Sequence, residues 1–173
     1  MTSVDLLEDA FERIRDAVYP AVNGLSPEDL AYRPDSESNS IAWLVWHLTR
    51  IQDDHVAGLD GSEQVWMAQG WADRFALPYD PTDTGFGHDP GMVAAVTADA
   101  PALLGYFEDV HKKTTTFVRS LAETDLARVV DRSWNPPVTV SVRLVSVIAD
   151  DLQHVGQAAY IRGILQRRES AVA

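Results

Sequence analysis

The sequence predicts an all-α fold, a four-helix bundle built by one domain over residues 1–173. Three observations lead there. Long segments repeat apolar residues at three- and four-residue steps, the period of an amphipathic helix. No stretch alternates apolar and polar residues convincingly, as a half-buried strand would. With 173 residues, 46% hydrophobic and 23% charged, the chain suits one domain whose helices bury their stripes against one another.

The first helix is expected from about Ser3 to Val22. Leu6, Leu7, Ala10, Phe11, Ile14, Ala17 and Val18 form its apolar side, and Pro20 and Gly24 mark its end. Ser26-Pro27-Glu28-Asp29 reads as an N-cap, a proline at the first helical position and two acids, which opens a short turn through about Tyr32. Asn39 or Ser40 caps the second helix. Its stripe is Ile41, Leu44, Leu48, Ile51, His55 and Leu59, and Gly58 and Gly61 close it.

From about Asp60 to Pro90 the pattern changes. Trp66, Trp71, Phe75, Tyr79 and Phe86 stand among glycines and prolines. A connection this long has a function or bridges a distance. It is expected to hold a short helix and cross the length of the bundle, as a plain crossover or as a substrate lid. The third helix is expected from about Gly91 to Ala122, with Pro101 kinking or dividing it. Ser133 to Pro137 makes a rigid connection with a short extended piece. The fourth helix runs from about Val140 to Gln166, with Leu144, Val147, Asp151, His154, Ala158, Ile161 and Leu165 along its centre.

Composition removes several functions. There is no cysteine, so disulfides, thiolate-bound zinc and a cysteine nucleophile are excluded, and any thiol chemistry must use a thiol that arrives as a ligand. A formal net charge of -12 argues against nucleic acid and anionic membrane surfaces as partners. No apolar run is long enough to span a membrane. The start, MTSVDLLEDAFERIRDAV, is acidic and amphipathic rather than a signal peptide, so a cytoplasmic location is expected.

Chemistry is suggested by polar residues on apolar stripes. Asp150 and His154 are four apart, neighbours on one helical face, and His154 lies in line with Val147, Ala158 and Ile161. His47 borders the Leu44, Leu48 and Ile51 stripe. An ionised carboxylate at a core is costly unless it is paired or bound to metal. Two imidazoles and one carboxylate make a competent set for a divalent metal, with a position left open for water or substrate. The alternative is a core histidine hydrogen-bonded to its acidic neighbour. Asp151, three residues before His154, competes with Asp150 as the carboxylate. Asp54, seven residues after His47, is a candidate outer acceptor orienting an imidazole, as is Asp151 if it does not itself ligate. His55 is expected to pack, and His88 and His111 to be exposed.

The segment Asn39-Ser40-Ile41-Ala42-Trp43-Leu44-Val45-Trp46-His47-Leu48, followed by Arg50-Ile51-Gln52-Asp53, resembles the second-helix signature of the DinB-like superfamily. Asp150-Asp151-Leu152-Gln153-His154-Val155-Gly156-Gln157 resembles its fourth-helix signature, and Leu25 to Pro34 resembles its connection between the first two helices. The resemblance implies a bundle in up-down-down-up order with a long crossover between helices two and three, often a homodimer. It implies a three-ligand site for zinc or nickel, carried here by His47, Asp150 and His154. Asp150 stands where most members have histidine. Relatives similar to mycothiol-dependent maleylpyruvate isomerases carry glutamate there, so a carboxylate ligand has precedent.

Three functions are compatible with these readings. The first is a metal-dependent transferase or isomerase that uses a low-molecular-weight thiol such as mycothiol or bacillithiol as cosubstrate, its thiolate attacking a small electrophile. The second is a hydrolase using zinc-bound water. The third is a non-enzymatic, stress-associated metal-binding homodimer.

Overall fold

Helix α1 (Ser3–Val22) begins on a capping box, with the Thr2 hydroxyl and the Asp5 carboxylate each accepting from the other residue's backbone N–H. The computed structural model describes residues 1–172, with side chains through residue 168. Ser26 and Asp29 cap α2 (Pro27–Ala31) in the same way. Ser40 caps α3 (Ile41–Asp60), which stops at Gly61 in the left-handed region. The crossover carries two short helices, α4 (Val65–Ala68) and α5 (Trp71–Phe75), and leads to α6 (Pro90–Ala95).

The expected third helix is two helices. Asp99 accepts a hydrogen bond from the Ala102 N–H and caps α7 (Ala100–Ser120), with Pro101 in its first turn. A proline there loses no intrahelical bond, so it starts a helix rather than bending one. A 3₁₀ turn (Glu123–Ala127) then leads into strands β1 (Val129–Asp131) and β2 (Val138–Thr139), which pair antiparallel. This ribbon is the extended piece anticipated near Ser133 to Pro137. It is too short to show an alternating pattern. Helix α8 (Val140–Val172) closes the fold.

Side-chain pairs give the helix directions. Arg15 meets Glu108 and Arg119 meets Glu8, so α7 runs antiparallel to α1. Arg50 meets Tyr106 and Gln52 meets Thr114, so α3 runs parallel to α7. His47 lies beside His154, Leu44 shares a groove with Ile161, and Arg143 acts on His55, so α8 runs antiparallel to α3. Arg162 donates to the Asn23 carbonyl where α1 ends. Helices α1 and α8 therefore point one way and α3 and α7 the other.

The stripes read from periodicity supply the core: Phe11, Ile14, Val18, Leu44, Leu48, Leu144, Val147 and Ala158 are buried. The crossover aromatics join it. Trp66, Trp71 and Phe75 pack on Tyr106 of α7. A Cβ on Gly105 would stand 2.6 Å from Trp71 Cη2, so the indole requires glycine there. The crossover is thus part of the core, whereas Phe86 is left in solvent.

Candidate metal centre

Helix α3 is buried on most of its circumference between α7, α8 and the crossover, so its polar residues are sealed unless bonded. Arg50 and Asp53 are both fully buried. The Arg50 guanidinium donates to the carbonyls of Asp83 at 3.1 Å and Pro81 at 3.3 Å, and to Gln64 Oε1 at 2.8 Å. Asp53 accepts from the Val65 N–H at 2.9 Å, the Trp66 N–H at 2.8 Å and the Tyr106 hydroxyl at 3.0 Å. One turn of α3 thereby holds both ends of the crossover.

That clamp delivers residues 83–88 to the next turn. The His47 Nδ1–H donates to the Thr84 carbonyl at 2.6 Å, which leaves Nε2 as the free nitrogen. Gly85 has φ +91°, and a Cβ built there would stand 2.9 Å from both His47 Nδ1 and Trp46 Cζ3. Only glycine lets the chain pass so close. The Trp43 indole stacks on the His47 ring at 4.6 Å and donates to His88 Nδ1 at 3.1 Å. The His88 Nε2–H in turn donates to Asp83 Oδ1 at 3.1 Å.

His47, Asp150 and His154 converge: each presents one ligand atom, and these atoms lie within 4.8 Å of one another. The two imidazole centroids are 4.9 Å apart, and His154 Nε2 lies 3.6 Å from Asp150 Oδ1. The His154 Nδ1–H donates to Gln157 Oε1 at 3.2 Å, so its Nε2 also faces the centre. Asp150 Oδ2 is buried without a hydrogen-bond partner. Two free imidazole nitrogens and an orphaned carboxylate oxygen fit a divalent cation, which would satisfy all three. The site is closed on one side and open on the other, since His47 is 5% exposed but the Asp150 side chain is 33% exposed.

The electrostatics agree with a ligand set. Burial holds the His47 imidazole below its ordinary pKa, the neutral form a metal needs. The contact with Asp150 raises His154. Burial pushes the Asp150 carboxyl up, but His154, and beyond it His47 and His55, bring it net below the usual carboxylate value.

The other sequence candidates fall elsewhere. Asp151 is fully buried with both oxygens unpartnered and points into the core, not at the triad. Burial, and then the charge of Asp150, push its carboxyl well above the usual range. Asp54 accepts from Gln64 at 2.8 Å and stands 3.6 Å from His55, so it does not orient a triad imidazole. His88 and His111 were expected at the surface. His88 instead is enclosed by Trp43, Trp46 and Tyr79, and His111 is buried against Phe107 and Glu12. The sequence carried one hint for His111, which falls four positions after Phe107 of the α7 stripe. For His88, placed by a loop without period, it carried none. Trp66, with Trp46 and Tyr79, lines a pocket of about 280 Å³ under the crossover that none of the triad residues lines, while Trp71 packs in the core.

Comparison with known proteins agrees with the fold. The family model described as Mycothiol-S-transferase matches residues 6–167. A conserved protein of Enterococcus faecalis, solved by crystallography, superposes with a TM-score of 0.88 at 30% identity, over 94% of this chain and 96% of that one. No curated protein matches the chain.

Proposed function

Because the chain belongs to the mycothiol-S-transferase family, we propose that it is a metal-dependent transferase which uses a mycothiol-like thiol to attack a small electrophile. The observation that supports this most is the half-open triad of His47, Asp150 and His154. A divalent cation bound there, with zinc or nickel the best suited, would supply positive charge that stabilises the thiolate of a bound thiol near neutral pH. The protein has no cysteine, so the reacting sulfur must come from the cosubstrate.

The chain's own residues do the positioning. The Thr84 carbonyl and Gln157 each take an Nδ1–H, which turns both Nε2 lone pairs to the centre. Trp43 covers His47 on one face and keeps water from it. The exposed side of Asp150 and His154 is where thiol and electrophile approach. Among the described residues no carboxylate stands free beside the triad to deprotonate a water. Asp83 serves Gly85 and His88, Asp54 serves Gln64, and Asp151 is sealed in the core. This supports thiol transfer over hydrolysis.

Homodimerisation is proposed too. Val142, Val145 and Leu152 leave an exposed apolar strip on α8 that a second copy would cover, and light scattering would read it.

The test is elemental analysis of protein purified without a metal-affinity tag, followed by calorimetric titration with mycothiol and an electrophile assay. His47→Ala and His154→Ala are each expected to strip the metal and the thiol-dependent turnover. Full metal retention in both variants would place the ligands elsewhere, and no turnover with mycothiol, bacillithiol or glutathione would end the transferase reading.

A further inference from the structure

One side chain touches both imidazoles of the triad. Trp43 stands one helical turn before His47 and stacks on its ring, with centroids 4.6 Å apart and planes 15° apart. The same indole meets the His154 ring edge-on at 6.1 Å. Where Trp43 sits therefore bears on the tilt of two rings at once. The Thr84 carbonyl holds His47 at Nδ1, but it grips one edge of the ring and leaves the faces free. The indole closes one of those faces.

The outer torsions of tryptophan and histidine are both broad, so an indole steadies an imidazole only if it is itself tied down. His88 ties it. The Trp43 Nε1–H donates to His88 Nδ1 at 3.1 Å. An indole N–H only donates, so this Nδ1 is bare and the ring's proton sits on Nε2, aimed at Asp83 Oδ1 3.1 Å away. That same carboxylate oxygen accepts from the Gly85 N–H at 2.7 Å. One atom of Asp83 thus sets the tautomer of His88 and the path of the loop beside His47. The His88 side chain is 2% exposed, enclosed by Trp43, Trp46 and Tyr79. A phenyl ring would fill that space with no polar atoms to satisfy. The imidazole is explained by the two bonds it makes rather than by its volume.

We propose that His88 is a positioning residue of the candidate metal centre: it acts through Trp43, holding the indole at the angle that aims His47 and His154 at a common point, while Asp83 keeps it in the tautomer that accepts. The inference rests on the metal-dependent reading for its consequence, but the hold on the rings belongs to the metal-free chain and is measured there.

Two substitutions separate the bond from the volume. His88→Phe keeps a ring and removes the acceptor. His88→Asn keeps an oxygen near the place of Nδ1 and removes most of the ring. The first readout is NMR of the full metal-free chain. Wild type is expected to show a scalar coupling across the Trp43–His88 hydrogen bond, and His47 ring protons shifted upfield by the stacked indole. His88→Phe is expected to move the Trp43 indole N–H and return the His47 ring protons toward free-imidazole shifts. The second readout is zinc affinity against a chromophoric chelator, expected to fall about tenfold in His88→Phe. His88→Asn is expected to stay closer to wild type on both readouts. Trp43→Phe gives an independent route should His88→Phe not fold. It is expected to weaken zinc by a similar factor, with no further loss in the double variant, because the two residues act as one unit. His88→Phe as close to wild type as His88→Asn, or losses that multiply in the double variant, overturns the positioning role. A wild-type chain that binds no zinc ends the metal-dependent reading, and the metal-free ring shifts then decide this one.

Discussion

Gly85→Ala is the sharpest test of how the crossover sets the candidate metal centre. At φ +91° an alanine must adopt a left-handed conformation, which costs about 1–2 kcal/mol. Its methyl would lie 2.9 Å from His47 Nδ1 and Trp46 Cζ3, and 3.3 Å from Trp43 Cζ2. None of these neighbours can swing clear. Trp46 is 1% exposed, and His47 is held between Trp43 and His154. Overpacking of this kind costs about 1–3 kcal/mol. If the loop recedes instead, the 2.6 Å bond from His47 to the Thr84 carbonyl breaks, a further loss of about 1 kcal/mol. A stability loss of about 2–5 kcal/mol is therefore expected by urea denaturation of the apo form. Because the Thr84 carbonyl orients the imidazole of a proposed ligand, zinc affinity measured against a chromophoric chelator should fall about 10- to 100-fold. An alanine variant within about 0.5 kcal/mol and about twofold of wild type would refute the claim that residues 83–88 position His47.

Further outcomes follow from the same structure. Asp53→Ala strands the Val65 and Trp66 N–H groups, the Tyr106 hydroxyl and the buried Arg50 charge, so a loss of about 3–5 kcal/mol is expected in the urea midpoint. Asp151→Leu replaces a sealed, unpartnered carboxyl with an apolar group of similar outline. It should stabilise the fold by about 1–3 kcal/mol and leave metal content unchanged, and metal loss would mean that Asp151 ligates after all. Burial holds His111 below its ordinary value of 6.5, so the unfolded chain takes that proton first. The stability His111 contributes is therefore complete above about pH 6.5 and declines as pH falls below it, and His111→Asn should flatten denaturation midpoints compared between about pH 7 and about pH 5.

The long helices were legible because each must bury an apolar stripe, and Leu44, Leu48, Leu144 and Val147 occupy the core that their spacing required. The triad was legible for a related reason. His154 on an apolar stripe, with a carboxylate four residues earlier, has few inexpensive ways to be satisfied. The choice between Asp150 and Asp151 was not legible. The two differ by 100° around α8, and both directions touch packed surface. Pro101 was ambiguous until Asp99 was seen to cap a new helix. The crossover was read least well, because its aromatics obey no period and its attachment is polar. His88 was lost with it.

Arg50 and Asp53 explain why that attachment is polar. An apolar stripe can anchor a helix, since a helix satisfies its own backbone, but residues 81–88 form no regular structure and expose carbonyls that an apolar wall would leave unbonded. A buried guanidinium with several fixed donors satisfies two of those carbonyls at once, and its position one turn from His47 means that the same helix carries the ligand and the clamp. The burial cost of Arg50 is offset by Asp53, 3.8 Å away, whose oxygens in turn satisfy the first N–H groups of α4. The geometry of the His47–Asp150–His154 triad thus depends on one rigid helix rather than on the loop's own stability. That is how an aperiodic crossover can place the Thr84 carbonyl within hydrogen-bonding distance of an imidazole that must hold one tautomer.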